Sequence, residues 1–376
     1  MKFSFSEEQE EFRSVVRRFM EDKSPTKEVR RLMATESGWE KEEWFQMNKE
    51  LGLTAVAIPE EYGGHGFGLS EQCIILEEMG RSLLCAPYFS SAVLAANAIL
   101  YGASEDQKTN LLPQIASGET IATLAFTEEN GHWDTLRVQL TASEKDGKYK
   151  LSGVKSFVLD GHTADLIVVL ATTHKTNDKP ELSLFAVDGG ATGLTKNLLN
   201  SADETRKLAR LEFNDVEGEL LGSGETVEKA MQTTFIKSCI GLANEMVGGA
   251  ERLRQDALEY VKMRMQFGRS IASFQVTKHR ATDMLADVEL AKSAAYFSAA
   301  AFDDSDKDIV ATASIAKAAA SEGYMQTAIN AVQMHGGIGF TWDNDTHLWF
   351  KRAKSSEVFL GTPDYHRELM VQSWEG

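Results

Sequence analysis

The chain has 376 residues, 43% of them hydrophobic and 25% charged, with a formal charge of −17. That length holds two or three domains' worth of core, and the acidic field repels nucleic acid and anionic membrane, so any phosphate binding needs local basic residues. The opening MKFSFSEEQEEF carries acids where a signal peptide needs an apolar core, and no run of about 18 apolar residues occurs. The three cysteines, Cys73, Cys85 and Cys239, are scattered, which points to a reducing compartment and away from a metal site. The expectation is a soluble, cytoplasmic protein.

From Ser6 to about Gly118 the pattern is helical. Ser6 and Gln9 form a capping-box pair, and Phe12, Val15, Val16 and Phe19 recur at helical spacing. GWEKEEWFQMNKELGL and SEQCIILEEMGRSLL read the same way, separated by the turn-rich IPEEYGGHGFG. From about Glu119 to Leu221 short runs rich in Val, Ile, Thr and Phe alternate with turns such as Lys145-Asp146-Gly147 and Asp188-Gly189-Gly190, which predicts a small barrel or sandwich. From about Thr226 helices return. No proline falls between Pro180 and Pro363, and segments such as ATASIAKAAASEGYMQTAINAVQMH suit a tightly packed bundle. The expected class is α+β, with an N-terminal helical domain over 1–118, a middle β-barrel or sandwich over 119–224 and a C-terminal four-helix bundle over 225–376. The absence of βαβ alternation excludes a Rossmann fold.

Four stretches can carry chemistry, and each has a plain structural explanation. LAFTEENGHWD, Leu124 to Asp134, ends a strand in a polar loop with Thr127 and Glu128. KSFVLDGHTADLIVV reads as two strands joined by Asp160-Gly161 in a hairpin. KMRMQFGRSIASFQ places Arg264, Phe267 and Gln275 where a long helix ends at Gly268, its basic residues complementing the helix dipole. QMHGGIGF sets Gly336 and Gly337 at a helix end as a glycine cap, with His335 as a packing or capping residue.

Taken together and in order, the four resemble the acyl-CoA dehydrogenase family of flavoproteins over essentially the whole chain. The resemblance implies FAD. Thr127 of the T-E loop and the segment Phe157 to Asp160, with Phe157 for the commoner Trp and Leu159 within it, would cover the isoalloxazine ring. Arg264, Phe267 and Gln275 match R-x-x-F-G…F-Q, which reaches the pyrophosphate and adenosine from a neighbouring subunit. Gln333, Gly336 and Gly337 match Q-x-x-G-G-x-G, which also lies on the cofactor, and Thr362 corresponds to a flavin-contacting residue. A fixed cation and close-approaching backbone N–H groups are what a pyrophosphate requires.

The family's dehydrogenases remove an α-proton of an acyl-CoA with a glutamate while flavin takes a hydride from the β-carbon. Y-E-G-T carries that glutamate, and this chain reads Phe359-Leu360-Gly361-Thr362, with leucine at the base position. A minority of the family places the base on the helix before R-x-x-F-G, beside an arginine. Those positions are Ser238 and Cys239 here. Glu357, Asp364, Glu368 and Glu245 are the nearby acids, and a displaced base supplied by one of them, Glu357 or Glu245 first, is an alternative. The ending HLWFKRAKSSEVFLGTPDYHREL resembles bacterial steroid and bile-acid side-chain members that assemble as α2β2 heterotetramers in which one subunit lacks the base. The resemblance therefore implies an acyl-CoA substrate, electron-transfer flavoprotein as electron acceptor and a homologous partner subunit in a tetramer. A flavin-dependent monooxygenase or oxidase, or a structural subunit without flavin, is the alternative. Leu360 argues against nitroalkane oxidases, which place aspartate there, and the acidic chain lacks the basic extension of DNA-associated relatives.

Overall fold

A computed structural model describes residues 5–133, 137–145, 147–174 and 180–375, with the side chains of His174 and Glu375 left out. Asp134 and Asp146, singled out in two of the motifs above, lie outside the described residues. The first helices are α1 (Glu7–Lys23), α2 (Thr26–Met33), α3 (Lys41–Leu51) and α4 (Leu69–Ser82), followed by a π-helical segment Phe89–Ala95, α5 (Ala96–Gly102) and α6 (Glu105–Ala116). Seven strands follow: β1 (Ala122–Ala125), β2 (Thr141–Lys145), β3 (Lys148–Leu159), β4 (Leu166–His174), β5 (Pro180–Asp188), β6 (Leu194–Leu199) and β7 (Leu208–Ser223). The chain then forms α7 (Glu225–Met263), a hairpin of β8 (Met265–Gln266) and β9 (Arg269–Ser270), and helices α8 (Gln275–Asp303), α9 (Ile309–His335), α10 (Thr346–Val358) and α11 (Pro363–Glu375). Residues pack into two units, one of Met1–Arg30, Leu69–Leu84 and Cys239–Gly376, the other of Arg31–Gly68 and Cys85–Ser238.

In the first unit the capping box at Ser6 forms as expected, with Ser6 Oγ accepting from Gln9 N and Gln9 Oε1 accepting from Ser6 N. The inward stripe of α1 differs from the expected one. Val16 and Met20 are buried, Val15 is 40% exposed, and Arg13 takes the inward position because Glu77 and Glu78 on α4 pair with it. Helix α4 lies against α7 at two glycines: a Cβ on Gly248 would stand 1.8 Å from Glu77 O, and one on Gly80 1.9 Å from Glu245 O. Only glycine permits that approach. Helix α9 packs on α8, α10 and α11 and is buried except along one stripe through Ile315, Glu322, Gln326, Ile329 and Gln333. Its alanine and serine content follows from that, since small side chains let the surrounding helices close in.

In the second unit β4, β2, β3, β7 and β5 close a ring, since β5 pairs with both β7 and β4; β1 adds to β4 and β6 to β7. The strands therefore form a barrel. Leu151, Val158, Ile167, Val169, Phe185 and Leu211 fill it. Strand β4 also buries Val168 and Leu170 on its other face, which explains its unbroken apolar run. The expected hairpin across Asp160-Gly161 does not form. Strand β3 runs between β2 and β7, whereas β4 pairs with β1, β2 and β5. Asp160 turns at φ 53 with its carboxylate accepting from Ser90 Oγ, and the N–H groups of Asp165 and Leu166 then bond to Ile121 O. These bonds deliver the chain to β1 instead of folding it back on β3.

Candidate functional site

In the barrel unit, Thr127 and Phe157 are brought side by side. The β3–β7 register slips between Lys155 and Val158, so three steps on β3 face two on β7. This bulge, with Phe157 at φ 59, lets both Lys155 and Val158 point inward while Phe157 stands 43% exposed. Ser156 N donates to Thr127 O at 3.0 Å, and Thr127 Oγ1 donates to Ser156 O at 2.6 Å. Leu159 is buried and offers no side chain to a ligand at the surface; its carbonyl accepts from Thr123 Oγ1 at 2.6 Å. Sequence patterns singled out Glu128 only as a loop residue, yet it makes a buried ion pair with Lys155 at 2.9 Å. Burial pulls Lys155 down to about 8, against the pull of Glu128.

At one end of the helical unit a second group of the expected cofactor residues assembles, while Thr362 lies on the turn between α10 and α11. Helix α7 ends at Met263 and not at Gly268; Phe267 (φ 53) and Gly268 (φ 75) form the two-residue turn of the β8–β9 hairpin, in which both residues take positive φ. Tyr260 near the end of α7 stacks on His335 at the end of α9, ring centroids 4.3 Å apart, and Arg280 on α8 donates to Asn330 on α9 at 2.8 Å. These contacts gather Arg264, Phe267, Gln275, Gln333, Gly336 and Gly337 at one end. His335 is thus a packing residue, its Nδ1 within 2.8 Å of Ala331 O.

Arg264 is exposed and has no carboxylate partner among the described residues. Phe267 is 90% and Phe340 82% exposed. Gly337 has no positive φ, and a Cβ built there meets nothing within 4 Å, so no contact inside the chain requires glycine. A free cation beside a glycine backbone open to close approach suits a pyrophosphate.

The turn between α10 and α11 carries Leu360 (φ 59) and Gly361 (φ 103), with Leu360 wholly buried. A Cβ on Gly361 would stand 2.4 Å from the Tyr365 ring. Every named polar contact of the turn comes from within the helical unit. Lys317 Nζ, fully buried on α9, donates to Gly361 O at 3.0 Å, Glu357 O at 3.2 Å and Ser321 Oγ at 3.0 Å. His366 Nε2 lies 2.8 Å from Leu360 O, and burial with Lys317 nearby pushes its pKa down to about 4. Cys239 Sγ lies 3.9 Å from the same carbonyl, its thiol pushed up to about 12 by burial. No sequence signal marks Lys317 or His366, because their partners lie far along the chain or on backbone atoms.

The remaining acids have partners elsewhere, Glu368 accepting from Gln372 Nε2 at 2.8 Å. Glu245 pairs with Arg352 at 2.7 Å, both buried, and the Glu357 carboxylate pairs with Lys354. Asp364 pairs with Arg367 at 3.2 Å. Ser238 is buried, with Oγ donating to Thr234 O at 2.7 Å. Among the described residues no helix is long and apolar enough to cross a membrane.

A helical region, a closed β-barrel and a helical bundle with glycine-lined, cation-bearing ends define a flavoprotein dehydrogenase fold. Residues 6–119, 123–216 and 228–374 match the N-terminal, middle and C-terminal domains of acyl-CoA dehydrogenase, and the chain belongs to that family, whose cofactor is FAD. Acyl-CoA dehydrogenase IpdE2 of Mycobacterium tuberculosis is 31% identical over 348 residues, covering 92% of this chain and 91% of that protein. A structure of a variant of the Tcur3481-Tcur3483 steroid ACAD is similar with TM-score 0.87 and 28% identity over 98% of each chain. The ChsE4-ChsE5 complex from Mycobacterium tuberculosis contains a chain similar at TM-score 0.89 and 26% identity, over 100% of this chain and 99% of that one.

Proposed function

We propose that this chain is the base-deficient subunit of a heteromeric, α2β2 FAD-dependent acyl-CoA dehydrogenase acting in lipid or steroid catabolism in the cytoplasm, with electron-transfer flavoprotein as the electron acceptor. The observation that carries this is Leu360, which the resemblance sets at the family's usual base position and which is wholly buried, with Ser238 at the other base position. Neither holds a group that can take a proton, and Cys239, in the place of the arginine beside the second position, lies 3.9 Å from the Leu360 carbonyl. Leucine has no ionisable atom, and the buried Cys239 thiol stays protonated at neutral pH. Ser238 is committed to the helix backbone and Glu245 to Arg352.

FAD, when bound, supplies the acceptor for the hydride leaving the β-carbon. The chain's residues then have binding and positioning roles. Arg264 offers a cation to the pyrophosphate, with Phe267, Gln275, Gln333, Gly336 and Gly337 beside it. Thr127, Phe157 and Leu159 form the segment toward the isoalloxazine, and Thr362 contributes from the turn after Leu360. The Thr127 hydroxyl already donates to Ser156, so it meets a ligand as an acceptor or through its backbone. The sequence divisions at 118 and 224 are part of the same proposal.

Exposed Met263, Met265, Phe267, Phe340 and Trp342 supply the apolar surface that a second subunit would cover. The names of the ChsE4-ChsE5 complex and the steroid ACAD support a heteromer and a steroid-type acyl group. A flavin-dependent monooxygenase is the second reading, supported by the same Leu360, since that chemistry needs no α-proton base. FAD retained through purification favours the dehydrogenase, and free exchange of flavin favours the monooxygenase.

Co-expression with a homologue bearing glutamate at either base position tests the proposal. A co-purifying complex of equal stoichiometry, active on acyl-CoA with artificial acceptors, is the expected result. A chain that stays a FAD-bound monomer of about 41.5 kDa in that experiment would overturn it.

A further inference from the structure

The Glu128–Lys155 pair is an unusual way to spend burial. Taking two charges out of water costs several kcal/mol per ion, and replacing a buried pair with apolar residues is often neutral or stabilising. Stability alone therefore does not account for it.

Its geometry suggests another role. Lys155 Nζ donates to Glu128 Oε1 at 2.9 Å and to Phe126 O at 3.3 Å. The Glu128 carboxylate also accepts from Gln139 N at 2.9 Å and Leu140 N at 3.0 Å. One pair thus fixes the backbone on both sides of Thr127, the start of β2's approach, and the residue that enters the β3 bulge. Immediately outside it, Thr127 and Ser156 exchange their two hydrogen bonds. Two loops that would otherwise move independently are joined two residues before the exposed Phe157 ring.

We propose that Glu128 and Lys155 are positioning residues for the flavin, locking the Thr127 loop and the Phe157 bulge into one preorganised surface. This rests on the assignment of Thr127 and Phe157 to the isoalloxazine. A ligand that needs both loops in place binds with an affinity reduced by the fraction of molecules in that arrangement. Loosening the lock so that about a tenth of molecules remain competent weakens flavin about tenfold.

Flavin release from the holoprotein on dilution, followed by free-FAD fluorescence, reads this directly, with the flavin absorption envelope and reduction potential recorded beside it. Lys155→Met and Glu128→Gln each raise the flavin dissociation constant about tenfold or more, and the double variant falls well short of the product of the two, as coupled neighbours do. The double variant carries no unpaired buried charge and remains informative if a single variant does not fold. Phe157→Asp serves as the control for the flavin's location. Weaker flavin in Phe157→Asp with dissociation constant, spectrum and potential unchanged in the double and in a folded single variant overturns the positioning role while leaving the site assignment intact. Unchanged flavin in Phe157→Asp overturns the site assignment, and the positioning role with it.

Discussion

The turn at Leu360 and the far end of helices α7 and α9 treat their polar groups in opposite ways. At the turn, the carbonyls of Glu357, Leu360 and Gly361 all meet donors from within the helical unit, and Leu360 is wholly buried. At the helix ends, Arg264 has no carboxylate partner among the described residues, Phe267 stands in solvent, and Gly337 meets nothing. A closed region is finished by the chain itself. An open one leaves a cation, an aromatic ring and a glycine backbone available to a ligand or another subunit. On the proposed assignment, the difference teaches where catalytic capacity has gone: the binding surface is kept, and the turn where a base would stand is closed.

The largest effect expected within the closed region is at Arg352. Arg352→Met breaks the buried pair with Glu245, a loss of about 3–5 kcal/mol for a buried pair stripped of one partner. Denaturant unfolding should show that loss, with the cost reduced in the double variant Glu245→Gln/Arg352→Met. In the open region the same measurement should show almost nothing, and flavin affinity should change instead. Gly337→Asp and Arg264→Ala each should weaken FAD about tenfold or more, an effect of about 1.4 kcal/mol, without lowering the denaturation midpoint of the flavin-free protein. Unchanged flavin content in both would remove the open end from the cofactor site.

The smallest expected effect sharpens the closed region's chemistry. His366 has its folded pKa near 4, below its ordinary value of 6.5, because of burial and Lys317. Between those values the unfolded chain takes up a proton that the folded one refuses. Stability is therefore full above about pH 6.5 and falls as pH drops toward 4. His366→Gln should flatten that part of the acid profile by the order of 1 kcal/mol at pH 5.5, read as the change in urea midpoint from pH 7.

Much of this contrast was legible in the sequence. The capping box at Ser6, the strand-rich middle and the long proline-free helices follow from local propensity and periodicity, and the family motifs single out Arg264, Gly337 and Leu360 for the proposed site. What stayed hidden depends on distant partners. Arg13 displaces Val15 from the inward stripe only because α4 brings Glu77 to it. Asp160-Gly161 has the residues of a hairpin, but Ser90 and Ile121 redirect the chain. Phe267 occupies a positive-φ turn position that usually favours asparagine or glycine, so the residue pattern carries α7 on to Gly268 although the helix stops at Met263. Lys317 sits in an alanine-rich helix where a lysine normally marks the solvent face, and the carbonyls that hold it come from 40 and 44 residues further on.

The central claim is that the sealed turn lacks a base, and rapid-mixing reduction of the bound flavin by acyl-CoA in the purified chain alone tests it most directly. A positioned base contributes about 10²–10⁴-fold, so the chain alone should fall short by that factor of the complex with a base-bearing partner. Reduction and turnover by the chain alone at about 1–10³ s⁻¹, the usual enzymatic range, would contradict the account.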